Sequence, residues 1–131
     1  MAVASRSDLA NLFFQEAYLF SRQYPNVEGV RLRLVGKHFL RAPAFRDLGW
    51  YDGEEHTIYL LDRLRFFPAH NQLGVMRHEL GHAADPNYAM EGSESRADAF
   101  SEAATGSPMF YDARGVQSAS EGVAGRPAEL G

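Results

Sequence analysis

The sequence of 131 residues contains no cysteine. This absence excludes disulfide scaffolds, thiolate nucleophiles, and zinc or iron–sulfur sites that depend on Cys ligands. Any metal ion in this protein must therefore be bound by the side chains of His, Asp or Glu. The sequence contains 5 His residues and 17 Asp and Glu residues, so such ligands are available.

Positive charge is also scarce, and long apolar runs are missing. Lys and Arg number 13 against 17 Asp and Glu, and the net charge of −4 gives no general attraction to nucleic acid or to an anionic membrane. The apolar stretch at 9–20 is interrupted by Asn11, Gln15 and Glu16, which makes it too polar for a secretory signal. No apolar run approaches the roughly 18 residues of a membrane span. We therefore expect a cytoplasmic protein that binds neither nucleic acid nor a membrane.

The composition is otherwise that of a globular protein. Hydrophobic residues make up 45% of the sequence and aromatic residues 12%, which is enough for one hydrophobic core in a chain of this length. We expect one domain over residues 1–106. Residues 107–131 are rich in Gly, Ala, Ser and Pro and are expected to form an irregular tail, which residues 109–111 could anchor to the domain. If that tail lies along a substrate cleft, its deletion should raise activity.

Hydropathy patterns predict one helix and three strands in the first half of the chain. Asp8 can cap an N-terminal helix whose apolar residues recur every three or four positions as far as Phe20. Apolar or alternating runs at 30–35, 48–51 and 56–61 predict strands, and an Asp-Gly pair between the last two predicts a hairpin. The strands should form a small sheet that is antiparallel or mixed.

Two further helices complete a predicted α+β fold. Residues 72–84 carry apolar side chains at helical spacing before Pro86 ends the helix. A second helix is predicted to begin near Ser93 and to end at Gly106. Gly81, inside the first of these helices, destabilises it by about 1 kcal/mol relative to Ala, which suggests that another segment packs closely there. The alternative is a tolerated substitution without a packing role.

The helix predicted at 72–84 contains His78-Glu79-Leu80-Gly81-His82, an HExxH motif. Imidazoles four residues apart lie one helical turn from each other on the same face, where both can bind one Zn²⁺. Glu79 borders that face, about 100° around the helix from His78. It can act as general base toward a water that zinc has made acidic, and then pass the proton to the leaving amine. The motif therefore predicts a zinc site with hydrolytic chemistry.

A catalytic zinc site usually has three protein ligands, so a third residue is needed. Glu94 and Asp98 lie four residues apart on the next predicted helix, and their carboxylates face the same way. We expect Glu94 to be the third ligand and Asp98 to accept the free ring N–H of one zinc-bound His. Asp85 is the rival ligand because it follows His82 by three residues, although it also suits a turn. A solvated acidic stripe that includes Glu102 is the remaining alternative for this helix.

The two motifs together, HELGH at 78–82 and ESRADAF at 94–100, resemble the gluzincin arrangement of zinc metallopeptidases. They are similar in particular to the small intracellular gluzincins related to phage-immunity and radiation-response regulators. The resemblance covers about residues 50–104 and implies a minimal zincin-like fold. It also implies that His78, His82 and Glu94 bind zinc and that Glu79 is the general base.

The resemblance does not extend to the His or Tyr that stabilises the oxyanion in larger gluzincins. Tyr88, Tyr111 and His70 have suitable side chains, although each also suits a structural role. Residues 58–60 either present a strand edge to an extended peptide or belong to the core.

We therefore expect a zinc metallopeptidase with a peptide or protein substrate. The alternative is a zinc-binding regulatory or interaction protein with little or latent peptidase activity. A third hypothesis is a structural helix pair without metal, whose melting temperature would not respond to chelation.

Overall fold

The computed structural model describes residues 5–36 and 48–108. These ranges form three α-helices and a small mixed sheet of three strands, which confirms the α+β class and, for the sheet, the mixed alternative. The described residues end just after the predicted domain boundary at 106. The predicted contacts of residues 109–111, and the rest of the tail, lie outside them.

Helix α1 spans Arg6–Ser21 and presents an apolar stripe to the core. Leu9, Phe13 and Phe20 are fully buried along this stripe. The prediction that Asp8 caps this helix is wrong, because Ser5 occupies the cap position and its hydroxyl accepts a hydrogen bond of 2.9 Å from the Asp8 backbone N–H. Asp8 lies instead in the first turn, where its negative charge interacts favourably with the helix dipole.

The sheet consists of β1 (Arg31–Val35), β2 (Gly49–Asp52) and β3 (Thr57–Leu61), in the order β1–β3–β2. Strand β1 runs parallel to β3, and β2 runs antiparallel to it. The predicted hairpin between β2 and β3 is confirmed. Its turn is stabilised by the Asp52 carboxylate, which accepts hydrogen bonds from the backbone N–H groups of Glu54 and Glu55 at 3.0 and 3.3 Å.

Strand β3 is the centre of the sheet. It pairs with a neighbour on each side, and all five of its residues are buried. Of the two interpretations of residues 58–60, the core role is therefore right. The interpretation as a strand edge open to a peptide is wrong, because a central strand has no free edge.

Helix α2 spans Ala69–Ala84, starting three residues earlier than predicted, and helix α3 spans Ser93–Thr105. Gly106 ends α3 in the left-handed conformation, with φ of 72°, as expected for a glycine at this position. Arg77 of α2 forms a largely buried ion pair of 2.7 Å with Glu16 of α1. Within the described ranges, no helix has both the length and the apolar content needed to cross a membrane.

The core lies between α1, the sheet and α2. Strand β2 lies close to α2, since a Cβ atom on Gly49 would come within 3.1 Å of the Val75 side chain. The amide of Asn26 donates a hydrogen bond of 2.7 Å to the carbonyl of Ala84 and so satisfies a carbonyl at the end of α2. Helix α2 is thus fixed on several sides. The largest fully buried side chains of the described residues include Phe13, Phe20 and Tyr59.

Candidate metal centre

Two helices supply the residues of the HExxH motif and of the acidic stripe. His78, Glu79 and His82 lie on α2 and are buried, with exposed fractions of 7%, 7% and 8%. Glu94 and Asp98 lie on α3, whose first turn faces the two histidines. The α2 imidazole rings stand at 88° to each other, with their centroids 4.7 Å apart.

Three ligand atoms from these helices converge on one point. The Nε2 atoms of His78 and His82 are 3.1 Å apart. Oε1 of Glu94 lies 2.7 Å from Nε2 of His78 and 3.3 Å from Nε2 of His82. Among the described residues, this is the one group of three or more His, Cys, Asp or Glu side chains with spacing that could hold a metal ion.

These separations fit a tetrahedral ion. Bonds of 2.0–2.1 Å at tetrahedral angles place neighbouring ligand atoms about 3.3 Å apart. The distances of 3.1 and 3.3 Å agree with this value, and the distance of 2.7 Å is shorter because ring nitrogen and carboxylate are in hydrogen-bond contact. Two imidazoles and one carboxylate are a ligand set typical of zinc enzymes, and they leave one tetrahedral position for water or substrate.

His78 has a carboxylate at each ring nitrogen. In addition to the Glu94 contact at Nε2, its Nδ1 lies 2.8 Å from Oδ1 of Asp98. A neutral imidazole has one N–H, and donation from Nδ1 to Asp98 leaves the lone pair of Nε2 directed at Glu94 and His82. When Nε2 of His82 also carries its lone pair, three electron-rich atoms face each other, and a cation between them, a proton or a metal ion, removes the repulsion.

The electrostatics of the site favour positive charge at the same point. Burial opposes the charged form of the His78 ring, but the hydrogen bonds to Asp98 and Glu94 and the nearby charge of Glu79 outweigh it. The pKa of His78 is therefore raised well above its usual value. In turn, the hydrogen bonds from His78 and His82 hold the pKa of Glu94 well below its usual range, so this carboxylate is ionised at neutral pH.

Close contact between the helices brings Glu94 to the histidines. A Cβ atom on Gly81 would lie 2.7 and 2.9 Å from the carbonyl carbon and Cα of Ala97, and closer still to the carbonyl oxygen. This confirms that another segment packs against Gly81, and the segment is the backbone of α3. Because Ala97 lies between Glu94 and Asp98, the contact sets the depth at which both carboxylates approach α2.

Asp85, the rival ligand, lies outside the group of three. It is 3% exposed, and its two carboxylate oxygens accept hydrogen bonds from the Asn87 backbone N–H at 2.8 Å and from Nε of Arg96 at 2.9 Å. Sequence reasoning missed Arg96. A signal was present, since Arg96 is the one Lys or Arg between Arg77 and Arg114 and a buried carboxylate requires a donor.

Comparison of the chain with protein-family models, with curated proteins and with solved structures finds no match. The geometry of this site and its sequence motif are therefore the basis on which a function is inferred.

The candidates for oxyanion stabilisation lie in different places. The ring of Tyr88 packs edge-on against Tyr51, with centroids 5.2 Å apart, and covers Gly53 in the β2–β3 turn. His70 is exposed in the first turn of α2, two helical turns before His78. Tyr111 lies outside the described residues. Tyr88 thus has a packing role that links the α2–α3 connection to the hairpin.

Proposed function

We propose that this protein is a zinc-dependent metallopeptidase of minimal zincin-like fold. The observation that carries the proposal is the convergence of Nε2 of His78, Nε2 of His82 and Oε1 of Glu94 from two helices, within 2.7–3.3 Å of one another. The HExxH motif supports zinc over other ions, since two imidazoles and one carboxylate are the ligands of several zinc peptidases. The gluzincin-like spacing of Glu94 and Asp98 supports it as well.

Each residue has a separate task in this proposal. His78, His82 and Glu94 hold the ion, and zinc, when bound, supplies Lewis acidity that polarises a carbonyl and lowers the pKa of water. Asp98 accepts the Nδ1–H of His78, which fixes the tautomer with its Nε2 lone pair directed into the site.

Glu79 is the proposed general base. Its carboxylate is buried beside the histidines, and its charge acts on the pKa of His78. In peptide hydrolysis it accepts a proton from the attacking water as the new C–O bond forms, and it then gives that proton to the nitrogen of the leaving amine as the C–N bond breaks. A peptide or protein is therefore the proposed substrate.

The experiment compares the wild-type chain with Glu79→Gln, a variant of the same size that cannot accept the proton. We expect both proteins to contain one equivalent of zinc by elemental analysis, and only the wild type to cleave a peptide library read by mass spectrometry. Equal cleavage by both proteins would refute the role of Glu79. Full zinc content without cleavage by either would favour the alternative, a zinc-binding regulatory protein with latent activity.

A further inference from the structure

We propose that Arg96 is a positioning residue of the metal centre, which holds the first turn of α3 so that Glu94 meets the two histidines. This inference rests on the metal site proposed above. It concerns Arg96, its partner Asp85, and the carbonyl groups of Asn87, Met90 and Glu91. We call this set the Arg96 network.

Glu94 needs such support because its contacts with His78 and His82 depend on where the first turn of α3 lies. The Glu94 side chain is 77% exposed, so core packing does not fix it. It is the second residue of α3, and helix ends fray unless their free N–H groups are capped. The cap position is Gly92, with φ of 85°, and no side chain of the described residues accepts a hydrogen bond there as a cap.

Arg96 closes this turn with both its backbone and its side chain. Its backbone N–H donates to the carbonyl of Gly92 at 3.2 Å, the first hydrogen bond of the helix. Nη1 of its side chain donates to the carbonyl of Glu91 at 2.8 Å, and Nη2 donates to those of Asn87 and Met90 at 2.7 and 3.3 Å. The guanidinium group thus gathers three carbonyls of the α2–α3 connection.

The fourth contact joins the network to α2. Nε of Arg96 donates to Oδ2 of Asp85, the residue at the end of α2, at 2.9 Å. The Asp85 side chain is only 1% exposed, so the contact with Arg96 offsets the cost of burying this carboxylate. Arg96 lies about 200° around α3 from Glu94, and it therefore fixes the helix from the side away from the metal ligands.

The chemistry of the network is specific to arginine. Four acceptors lie around one planar group, and the guanidinium offers five N–H donors in a fixed geometry. A lysine ammonium keeps the charge but is a single point on a flexible stem and cannot reach acceptors on several sides. Arg96→Lys is therefore the informative substitution, since it preserves net charge and the helix while it loses most of the network.

Arg6→Lys is the matched control. Arg6 also joins a carboxylate and a backbone carbonyl, since its Nε lies 3.4 Å from Asp62 and its Nη2 donates to the carbonyl of Leu34 at 3.1 Å. It lies on α1 and takes no part in the α2–α3 connection. Both variants make the same chemical change, and only one of them alters the support of Glu94.

The first experiment measures the zinc dissociation constant by competition with a chromophoric chelator, and the visible absorption of the Co²⁺-substituted proteins. We expect Arg96→Lys to weaken zinc binding by about tenfold or more, in the range of substitutions that support metal ligands, and to change the Co²⁺ spectrum. Arg6→Lys should change neither. Unaltered affinity and spectrum in a folded Arg96→Lys variant would overturn the proposal.

Hydrogen exchange of the zinc-free proteins separates this inference from the proposed function. Arg96→Lys should speed exchange in the first turns of α3, residues 96–99, and leave α2 unchanged. If the wild type bound no zinc, the proposed function would fail, while faster exchange confined to α3 would still support the network. An Arg96→Lys variant whose α3 exchanges hydrogen at the same rate as in the wild type would overturn the proposal.

Asp85→Asn provides a second variant if Arg96→Lys fails to fold. It retains an acceptor for the Asn87 N–H but lacks the charge that pairs with Arg96. We expect weaker zinc binding again. Where Arg96→Lys folds, the double variant should bind zinc no more weakly than the poorer of the two single variants, because the two residues act through one contact. Additive losses would contradict a shared network.

Discussion

At the scale of single residues, His78 connects the two carboxylates of α3 to the helix of the HExxH motif. Its Nδ1 faces Asp98 and its Nε2 faces Glu94 and His82. The ring is nearly buried, so its orientation is set by these contacts and not by solvent. Substitution of Asp98 should therefore change metal binding through the orientation of the His78 ring. Substitution of Glu94 should change it through the loss of a direct ligand.

Asp98→Ala tests the orientation of the ring. The substitution removes the acceptor of the Nδ1–H, and we expect zinc affinity to fall by about 10- to 100-fold while one equivalent still binds at saturation. Asp98→Asn, which retains an acceptor oxygen, should lose less. The measurement is a competition titration with Ser95→Ala, an exposed position on the same helix, as control. Affinity unchanged by Asp98→Ala would contradict the role of this contact.

The raised pKa of His78 predicts opposite pH dependences with and without zinc. In the zinc-free protein the folded state holds the proton more tightly than the unfolded state, whose pKa is about 6.5. This stabilisation is complete below that value and is lost as pH rises through the folded pKa, with a slope of at most about 1.4 kcal/mol per pH unit. Zinc must displace the same proton, so its affinity rises over the same range.

Urea unfolding from about pH 6 to 9, in chelator and in excess zinc, measures this difference. As pH rises, the free energy of unfolding in chelator should fall relative to the free energy of unfolding in excess zinc. The two curves of this free energy against pH should therefore separate. Parallel curves across this range would show that His78 is not the group at which proton and metal compete.

At the scale of elements, the contact between α2 and α3 determines whether Glu94 reaches the two histidines. Gly81→Ala should disrupt it, because the new methyl group would meet the backbone of Ala97, which cannot move aside as a flexible side chain can. Alanine would otherwise favour the helix by about 1 kcal/mol. We expect a net destabilisation of roughly 1–3 kcal/mol, as for other overpacked sites, together with weaker zinc binding.

Gly36→Ala is the control for this prediction, since a Cβ atom there would have no neighbour within 4 Å. Urea unfolding and zinc titration of both variants provide the measurement. A Gly81→Ala variant as stable as the wild type and with its zinc affinity would show that α3 can retreat without loss of the site.

The helices could be predicted because their determinants are local. Periodicity and terminal signals located α2 and α3 to within a few residues, and Gly106 marked the end of α3. The pairing of strands could not be predicted in the same way. Parallel pairing of β1 with β3 is a contact across more than twenty residues, and it is this pairing that buries residues 58–60 at the centre of the sheet.

In the candidate site, too, the features set by local sequence could be predicted and those set by contacts between distant residues could not. The positions of His78 and His82 follow from helical spacing, and the choice of Glu94 and Asp98 follows from the next amphipathic helix. The environment of Asp85 does not follow from spacing. Asp85 and Glu94 are both acidic residues near the motif. Asp85 differs in that it pairs with Arg96, eleven positions further along the chain, and spacing does not predict this contact.

At the scale of the whole molecule, zinc should act as part of the fold. The site joins α3 to α2, whereas the main core lies between α1, the sheet and α2. Zinc at a hundredfold excess over its dissociation constant adds about 2.7 kcal/mol to stability. For a domain of this size this corresponds to a rise in melting temperature of roughly 10 °C.

Thermal unfolding with and without chelator measures this effect. The wild type should lose several degrees in chelator, and His82→Ala should have the same melting temperature in both conditions. A wild-type melting temperature that does not respond to chelation would favour the hypothesis of a helix pair without metal.

The central claim is that His78, His82 and Glu94 together bind one zinc ion. Its most direct test is the zinc content of the purified protein, determined by elemental analysis after dialysis against zinc-free buffer. The proteins compared are the wild type, His78→Ala, His82→Ala and Glu94→Ala. We expect one equivalent of zinc in the wild type and much less in each variant. Zinc well below one equivalent in a folded wild-type protein, or equal zinc in all four proteins, would contradict the claim.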